Sequence, residues 1–103
     1  MNFTDQFLES LIAAREQEMT SISILAALVF ISRRENGAML SDVARKVRFS
    51  TAAATGMADM FEKMGLAERV RVDGDRRSFR LCITSKGRDA IDMILNPKPK
   101  TNA

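Results

Sequence analysis

The order of elements predicted for residues 41–83 constrains this chain more than any other feature. Ser41 is the expected cap of a short helix that runs through Val47, and Ser50 caps a second helix after a tight connection. Gly65 ends the second helix, because glycine adopts the left-handed backbone of a helix C-terminus at no steric cost. Two alternating segments follow, so the sequence predicts a helix pair packed against a hairpin.

A β-hairpin is predicted because residues 66–72 and 78–83 both alternate between apolar and polar side chains. Asp73-Gly74-Asp75 lies between them and is a typical turn sequence. The alternation predicts a buried face made of Val70, Val72, Phe79, Leu81 and Ile83. The opposite face then carries Arg69, Arg71, Arg80 and Cys82.

A third helix is nearly all apolar and is expected in the middle of the fold. It begins at Thr20 or Ser21 and ends at Asn36-Gly37, before a short strand at residues 38–40. Its longest apolar run, residues 24–31, is much shorter than the roughly twenty residues that a bilayer span needs. This helix is therefore predicted to lie in the protein core.

Two amphipathic helices complete the chain. One spans residues 4–17, and Thr84 caps the other, which ends near Leu95. Residues 96–103, with two prolines and two lysines, are expected to form a disordered tail. The predicted fold class is thus α+β and mostly helical, with a short β-hairpin.

Composition argues against several classes of function. Histidine and cysteine most often serve as general bases, zinc ligands and disulfide partners. This sequence has no histidine and only one cysteine, Cys82. Enzyme activity, a bound metal and a cofactor are therefore not expected. The lone thiol and an N-terminus unlike a signal peptide favour the cytoplasm.

Positive charge is concentrated in the second part of the chain. Residues 1–40 hold three basic and five acidic side chains, whereas residues 41–103 hold thirteen basic and eight acidic ones. The helix pair and the hairpin thus belong to a mildly basic unit that follows a mildly acidic segment. This asymmetry indicates a surface for a polyanion.

A helix pair followed by a hairpin is the order of a winged helix-turn-helix, whose second helix presents its N-terminal residues to the DNA major groove. The residues in that position are Ser50, Thr51, Ala52, Ala53 and Thr55. None carries the guanidinium or amide group that makes bidentate base contacts, so modest base reading is expected. Adjacent capped helices also occur in helical domains that bind no DNA.

The hairpin turn strengthens the DNA-binding interpretation. Arg76 and Arg77 lie there beside Asp73 and Asp75, and guanidinium groups at a hairpin tip can enter a minor groove or bind phosphates. The alternative is a solvated turn with a surface ion pair. Further phosphate contacts are predicted from the end of the first helix and the turn after it, at Arg45, Lys46 and Arg48.

From residue 22 to about residue 95, the sequence resembles the winged-helix domain of the MarR family of bacterial transcriptional regulators. The resemblance rests on four segments in the same order and spacing. They are LSDVA at residues 40–44, FEKMGLAER at 61–69, DGDRRS at 73–78 and LCITSKGR at 81–88.

The resemblance implies a double-stranded-DNA-binding transcriptional regulator, a repressor, that acts as a homodimer. It also implies a role for each part of the hairpin turn, called the wing in this family. Arg77 is the residue expected in the minor groove, and Asp73 or Asp75 orients it. Arg76 is expected to contact a phosphate.

The sequence departs from the family in its length. Family members usually have extended terminal helices that form the dimer and enclose a small-molecule pocket, whereas few helical residues follow Thr84 here. A small-molecule effector is therefore not expected. If the apolar residues of the end helices do not simply pack within one chain, dimerisation is expected through Phe3, Phe7, Leu8, Leu11, Ile94 and Leu95.

The sequence thus predicts three parts. Residues 1–19 form an N-terminal helix with a role in dimerisation, residues 20–95 form the winged helix-turn-helix domain, and residues 96–103 form the tail. The alternative function is a winged helix that serves as a protein-interaction or assembly module without specific DNA binding. The plain second helix favours this alternative, and the arginines of the wing disfavour it.

Overall fold

The computed structural model describes residues 2–19, 21–74 and 78–97 of the chain. Within these ranges there are five helices and three strands. In chain order they are α1 Phe3–Glu16, α2 Ile22–Ser32, β1 Ala38–Met39, α3 Leu40–Val47, α4 Thr51–Met64, β2 Ala67–Arg71, β3 Phe79–Ile83 and α5 Ser85–Leu95. The mostly helical α+β fold, with a helix-turn-helix followed by a hairpin, is confirmed.

The three strands form one antiparallel sheet in the order β1-β3-β2. Leu81, on the central strand, lies opposite Ala38 of β1 and Arg69 of β2. Leu81 and Ala38 are both buried, so the sheet closes over the core from this face. The hairpin and the short first strand are confirmed.

The predicted faces of the hairpin are wrong for β2. Residues directly opposite each other in an antiparallel pair project from the same face of the sheet. Because Arg69 lies opposite Leu81 and Arg71 lies opposite Phe79, both arginines share the face that was predicted to be apolar. Val70 lies on the other face and is 44% exposed.

The reason for this error lies at the start of β2. Ala67 is buried beside Leu66, and the two-residue period of a strand then places Arg69 on the same face as Ala67. A charged side chain is tolerated there because it finds partners on α4, as described below. These partners decide which face of the sheet each residue of β2 occupies. The pattern of apolar and polar residues along β2 does not decide it alone.

Helix α2 lies in the middle of the fold, as predicted, with Ala27, Leu28 and Ile31 buried. The Ser21 cap is confirmed, since Ser21 Oγ accepts a hydrogen bond from the Ile24 backbone N–H at 3.3 Å. The helix ends at Ser32, earlier than predicted, and Gly37 has a φ of +83° in the turn that leads to β1. No helix of the described residues is both long enough and apolar enough to cross a bilayer.

Helix α3 begins at Leu40, so the predicted cap at Ser41 is wrong. Its N-cap is Met39, which has extended backbone and makes no side-chain capping bond. Because Met39 also ends β1, the chain passes from strand to helix without a connecting loop. Ser41 therefore lies within the first turn of α3.

Helix α4 forms much of the wall of the core. Its buried residues are Ala54, Met57, Ala58 and Phe61. Except for Ala54, they belong to one apolar cluster that also includes Leu28 of α2 and Ile94 of α5. Burying an aromatic side chain such as that of Phe61 stabilises a fold by roughly 1.5–3 kcal/mol. The orientation of α4 about its own axis is therefore fixed by packing.

Helix α5 approaches the end of α4 closely at Gly87. A Cβ atom built on Gly87 would overlap the carbonyl oxygen of Leu66 and would lie 2.7 Å from Ile83 Cγ1. The Leu66 oxygen also accepts a hydrogen bond from the Thr84 backbone N–H at 3.0 Å. A side chain at position 87 would separate α5 from the turn between α4 and β2.

Gly87→Ala is expected to lower the free energy of unfolding by about 1–3 kcal/mol, the usual cost of overpacking. Gly56→Ala is the matched control, because a Cβ there would meet nothing within 4 Å. In α4 it should raise the free energy of unfolding by up to about 1 kcal/mol, since alanine is a better helix former than glycine. Urea unfolding followed by circular dichroism measures both, and effects of the same sign would contradict the close approach at Gly87.

Candidate nucleic-acid interface

The turn between α3 and α4 is built by Arg48, Phe49 and Ser50. Arg48 has a left-handed backbone, with φ of 60° and ψ of 44°, which reverses the chain sharply after α3. Phe49 packs against the core, and its N–H donates to the Ala44 carbonyl oxygen at 2.8 Å. Ser50 caps α4 as predicted, since its Oγ accepts from the Ala53 N–H at 3.1 Å. The turn thus fixes α3 against the start of α4.

The N-terminal half of α4 presents its predicted contact residues to solvent. Because Ala54, Met57 and Phe61 occupy the buried side, the helix period leaves the intervening positions outside. The exposed residues are Ser50, Thr51, Ala52, Ala53, Thr55 and Gly56. This set, the α4 contact surface, includes all five predicted recognition-helix residues.

Positive charge precedes the α4 contact surface along the chain. Arg45, Lys46 and Arg48 are exposed, and the first turn of α4 contains no acidic residue. Arg45 donates to Asp42 at 3.2 Å, but its side chain is 79% exposed and keeps further N–H donors for another partner. The three predicted phosphate contacts are thus all accessible.

Arg69 connects β2 of the hairpin to α4. Its Nη2 lies 2.6 Å from Asp59 Oδ1, its Nη1 pairs with Glu62, and its guanidinium carbon lies 5.0 Å from the ring centroid of Phe79. Only 26% of the side chain is exposed. Arg69 therefore joins the hairpin to the C-terminal half of α4, which follows the contact surface along the helix.

Sequence reasoning missed the role of Arg69, because alternation placed it on the outer face. One signal was present in the sequence. Asp59 and Glu62 are three residues apart, so they share one side of α4 and can hold a cation together.

The C-terminus of α4 is held by the start of α5. Gly65 is the predicted C-cap and has a φ of 74°. Lys86 Nζ donates to the Met64 carbonyl oxygen at 2.9 Å, and Thr84 Oγ1 donates to the Gly65 carbonyl oxygen at 2.6 Å. The ammonium group also complements the negative end of the helix dipole. The prediction of Thr84 as the cap of α5 is confirmed, because it also accepts from the Gly87 N–H.

The tip of the predicted wing, with Asp75, Arg76 and Arg77, lies outside the described residues. Asp73 is described and is exposed. The flanking residues remain paired, since the Val72 N–H donates to the Ser78 carbonyl oxygen at 3.2 Å. The hairpin is therefore continuous up to the residues next to its tip. The predicted tail also lies outside the described residues from position 98 onward.

Most of the residues predicted for dimerisation are exposed. Phe3, Phe7, Leu8, Leu11 and Leu95 are more than two-fifths accessible, whereas Ile94 is 2% exposed and packs within the chain. An open apolar groove lies between α1, α2 and α5. It is lined by Phe3, Phe7, Leu11, Leu25, Val29 and Leu95, together with the edge of Ile94. Ile22 and Met93, which the sequence reasoning did not select, are also exposed.

Comparison with known proteins identifies the family. The model of the MarR family matches residues 18–79. The chain belongs to the MarR family. A curated relative, the transcriptional repressor MprA of Escherichia coli (strain K12), is 32% identical over 77 residues. The matched region is 74% of this chain and 44% of MprA, so the chain spans less than half of the length of that relative.

Solved structures share the fold. The YusO protein from Bacillus subtilis superposes with a TM-score of 0.75 and 24% identity, over 91% of this chain and 65% of that one. A mutant of MepR from S. aureus, bound to an oligodeoxyribonucleotide, has a TM-score of 0.79 and 12% identity, over 90% of this chain and 67% of that one. The winged-helix fold of the described residues is thus that of MarR-family regulators.

A double-mutant cycle on Arg69 and Glu62 is expected to give a coupling free energy of about 1 kcal/mol, the upper end for partly exposed pairs. The matched control is the cycle on Arg45 and Asp42, a pair within α3 whose side chains are 79% and 50% exposed. That pair should couple by about 0.3 kcal/mol. Urea unfolding of the single and double alanine variants measures both cycles. Equal coupling in the two cycles would show that Arg69 does not join the hairpin to α4.

Proposed function

We propose that this protein binds double-stranded DNA as a homodimer and represses transcription in the cytoplasm. The α4 contact surface lies in the major groove, and the wing reaches the adjacent backbone and minor groove. The observation that carries the proposal is the exposed N-terminal half of α4, without acidic residues in its first turn and preceded by three accessible basic side chains. Membership of the MarR family supports it, as do the name of MprA and the DNA bound to the MepR mutant.

Phosphate contacts supply most of the affinity in this proposal. Arg45, Lys46 and Arg48 bind the DNA backbone beside the major groove, while Ser50 and Thr51 bring the N-terminus of α4 to a phosphate. Such contacts set the position of the protein on the duplex but do not identify a sequence. They release counterions, so the affinity falls steeply with salt concentration.

The wing supplies the second set of contacts. Following the family resemblance, Arg77 enters the minor groove, Asp73 or Asp75 orients it, and Arg76 binds a phosphate. The attachment of β2 to α4 through Arg69 supports this arrangement, because it sets the base of the wing relative to the recognition helix.

Dimerisation uses exposed apolar side chains of the segment 1–19 and of the end of α5. Phe3, Phe7, Leu8 and Leu11 together with Leu95 form an apolar area, and a second copy would remove it from water. A two-fold axis then places two α4 helices about 34 Å apart, opposite the halves of a pseudo-palindrome. Ile94 contributes by supporting this surface from within the chain.

The second candidate is a protein-interaction module without specific DNA binding. One observation favours it, namely that the α4 contact surface has no side chain suited to bidentate base contacts. Salt-insensitive or absent DNA binding, together with a stoichiometric protein partner, would reverse the order of the two candidates.

Replacing Arg76 and Arg77 with alanine is expected to flatten the salt dependence of DNA binding. The slope of log affinity against log salt should shrink by about 0.9 for each phosphate contact that is lost. The assay is a salt series of gel shifts on a duplex that this protein enriches from a randomised library. The double variant Arg15→Ala, Arg88→Ala removes the same charge from α1 and α5 and should leave the slope nearly unchanged. Unaltered binding by the wing variant would show that the wing assignment is wrong.

Leu8→Glu is expected to convert the dimer to a monomer, because it places a carboxylate in the apolar interface. Leu8→Ala should weaken the dimer less, since it removes apolar contact without adding charge. Sedimentation velocity over a concentration series measures the association, and circular dichroism checks that both variants fold. A parent protein that remains monomeric at its highest soluble concentration would contradict the proposed homodimer.

A further inference from the structure

The exposed residues of α4 from Ala52 to Gly56 offer carbon atoms to a ligand more than hydrogen-bonding groups. Ala52 and Ala53 end in methyl groups, Thr55 carries one, and Gly56 has no side chain. Guanine and adenine are usually read in the major groove by bidentate arginine, lysine, asparagine or glutamine. None of these residue types lies on the α4 contact surface, so such reading is not available to it.

The hydroxyl group of Thr55 is already committed within the helix. Its Oγ1 donates to the Thr51 carbonyl oxygen at 3.0 Å. A hydroxyl group has one hydrogen, so Thr55 has none left to donate to purine N7 or to guanine O6. Its methyl group and the oxygen lone pairs remain for an outside partner.

Small side chains also let α4 come close to its partner. A Cβ atom added at Gly56 would meet nothing within 4 Å, so the backbone there is open to solvent. A helix with ordinary side chains is about 10–12 Å across, and the major groove is about 12 Å wide. The small residues make α4 narrower on this side, which allows it to lie deep in the groove.

We infer that α4 recognises the C5-methyl groups of thymine by apolar contact with Ala52, Ala53 and Thr55. Thymine is the one base that presents a methyl group in the major groove of unmodified DNA. The inference rests on the proposed DNA binding and adds to it the chemistry of the site. Each half-site then carries A·T pairs, with thymine methyl groups directed at α4, in the stretch that α4 covers.

Replacing thymine with deoxyuridine tests this inference directly. Uracil pairs with adenine as thymine does and differs by the methyl group alone, so the minor-groove edges stay the same. The probe is the duplex that the parent protein enriches from a randomised library, with one thymine replaced at a time. In the stretch that each α4 helix covers, one or two of these thymine replacements should weaken binding, each by about fourfold. This is the effect expected when roughly one methyl group is no longer buried. Binding that no replacement changes, or enrichment of G·C pairs in this stretch, would overturn the inference.

Two variants of Thr55 separate methyl contact from hydrogen bonding. Thr55→Ser keeps the hydroxyl group and removes the methyl group, so it should bind the thymine duplex about fourfold more weakly and distinguish thymine from uracil less. Thr55→Val keeps a methyl group and removes the hydroxyl group, so it should still distinguish them. The reverse result, with full affinity for the thymine duplex kept by serine and lost by valine, would assign recognition to the hydroxyl group instead.

Failure of the inference is distinguishable from failure of the proposed function. If the parent binds duplexes with a steep salt dependence but ignores the thymine methyl group, only the inference fails. If no duplex is enriched and no salt-sensitive binding occurs, the proposed DNA binding fails and the inference fails with it.

Discussion

The packing of one side of α4 against the core decides which residues of the helix reach the surface. Phe61, Met57 and Ala58 are almost completely buried, and they fix the rotation of the helix about its axis. Ser50 caps its first turn, while Thr84 and Lys86 hold its last carbonyl groups. With the buried side and both ends held, the small residues at positions 51–53, 55 and 56 lie at the surface.

The position of the hairpin relative to α4 is set by Arg69, which contacts both. An ion pair at a partly exposed site adds little to stability by itself. Two carboxylates and an aromatic ring around one guanidinium group nevertheless define where β2 lies relative to the helix. In the proposed complex, the basic side chains and the α4 contact surface have different roles in DNA binding. Basic side chains provide salt-sensitive affinity, and methyl groups on α4 provide discrimination that salt affects little.

Local signals made the bounds of α4 predictable, whereas tertiary partners decided the features that sequence reasoning got wrong. Ser50 and Gly65 act on their own helix, and both were identified from the sequence. The face of Arg69 depends on Asp59 and Glu62, seven to ten residues away along the chain, and alternation within β2 carries no information about them. The sequence predicts Gly37 as the end of α2, but its left-handed backbone serves the later turn into β1.

In the proposed complex, the N-terminal half of α4 lies in the major groove and contacts thymine methyl groups. A crystal structure of the protein bound to its enriched duplex measures this most directly. We expect methyl carbons of Thr55 and Ala52 to lie within about 4.5 Å of thymine methyl carbons, the range of apolar contact. A complex in which α4 lies outside the groove, or in which water separates it from the bases throughout, would show that α4 does not read thymine methyl groups.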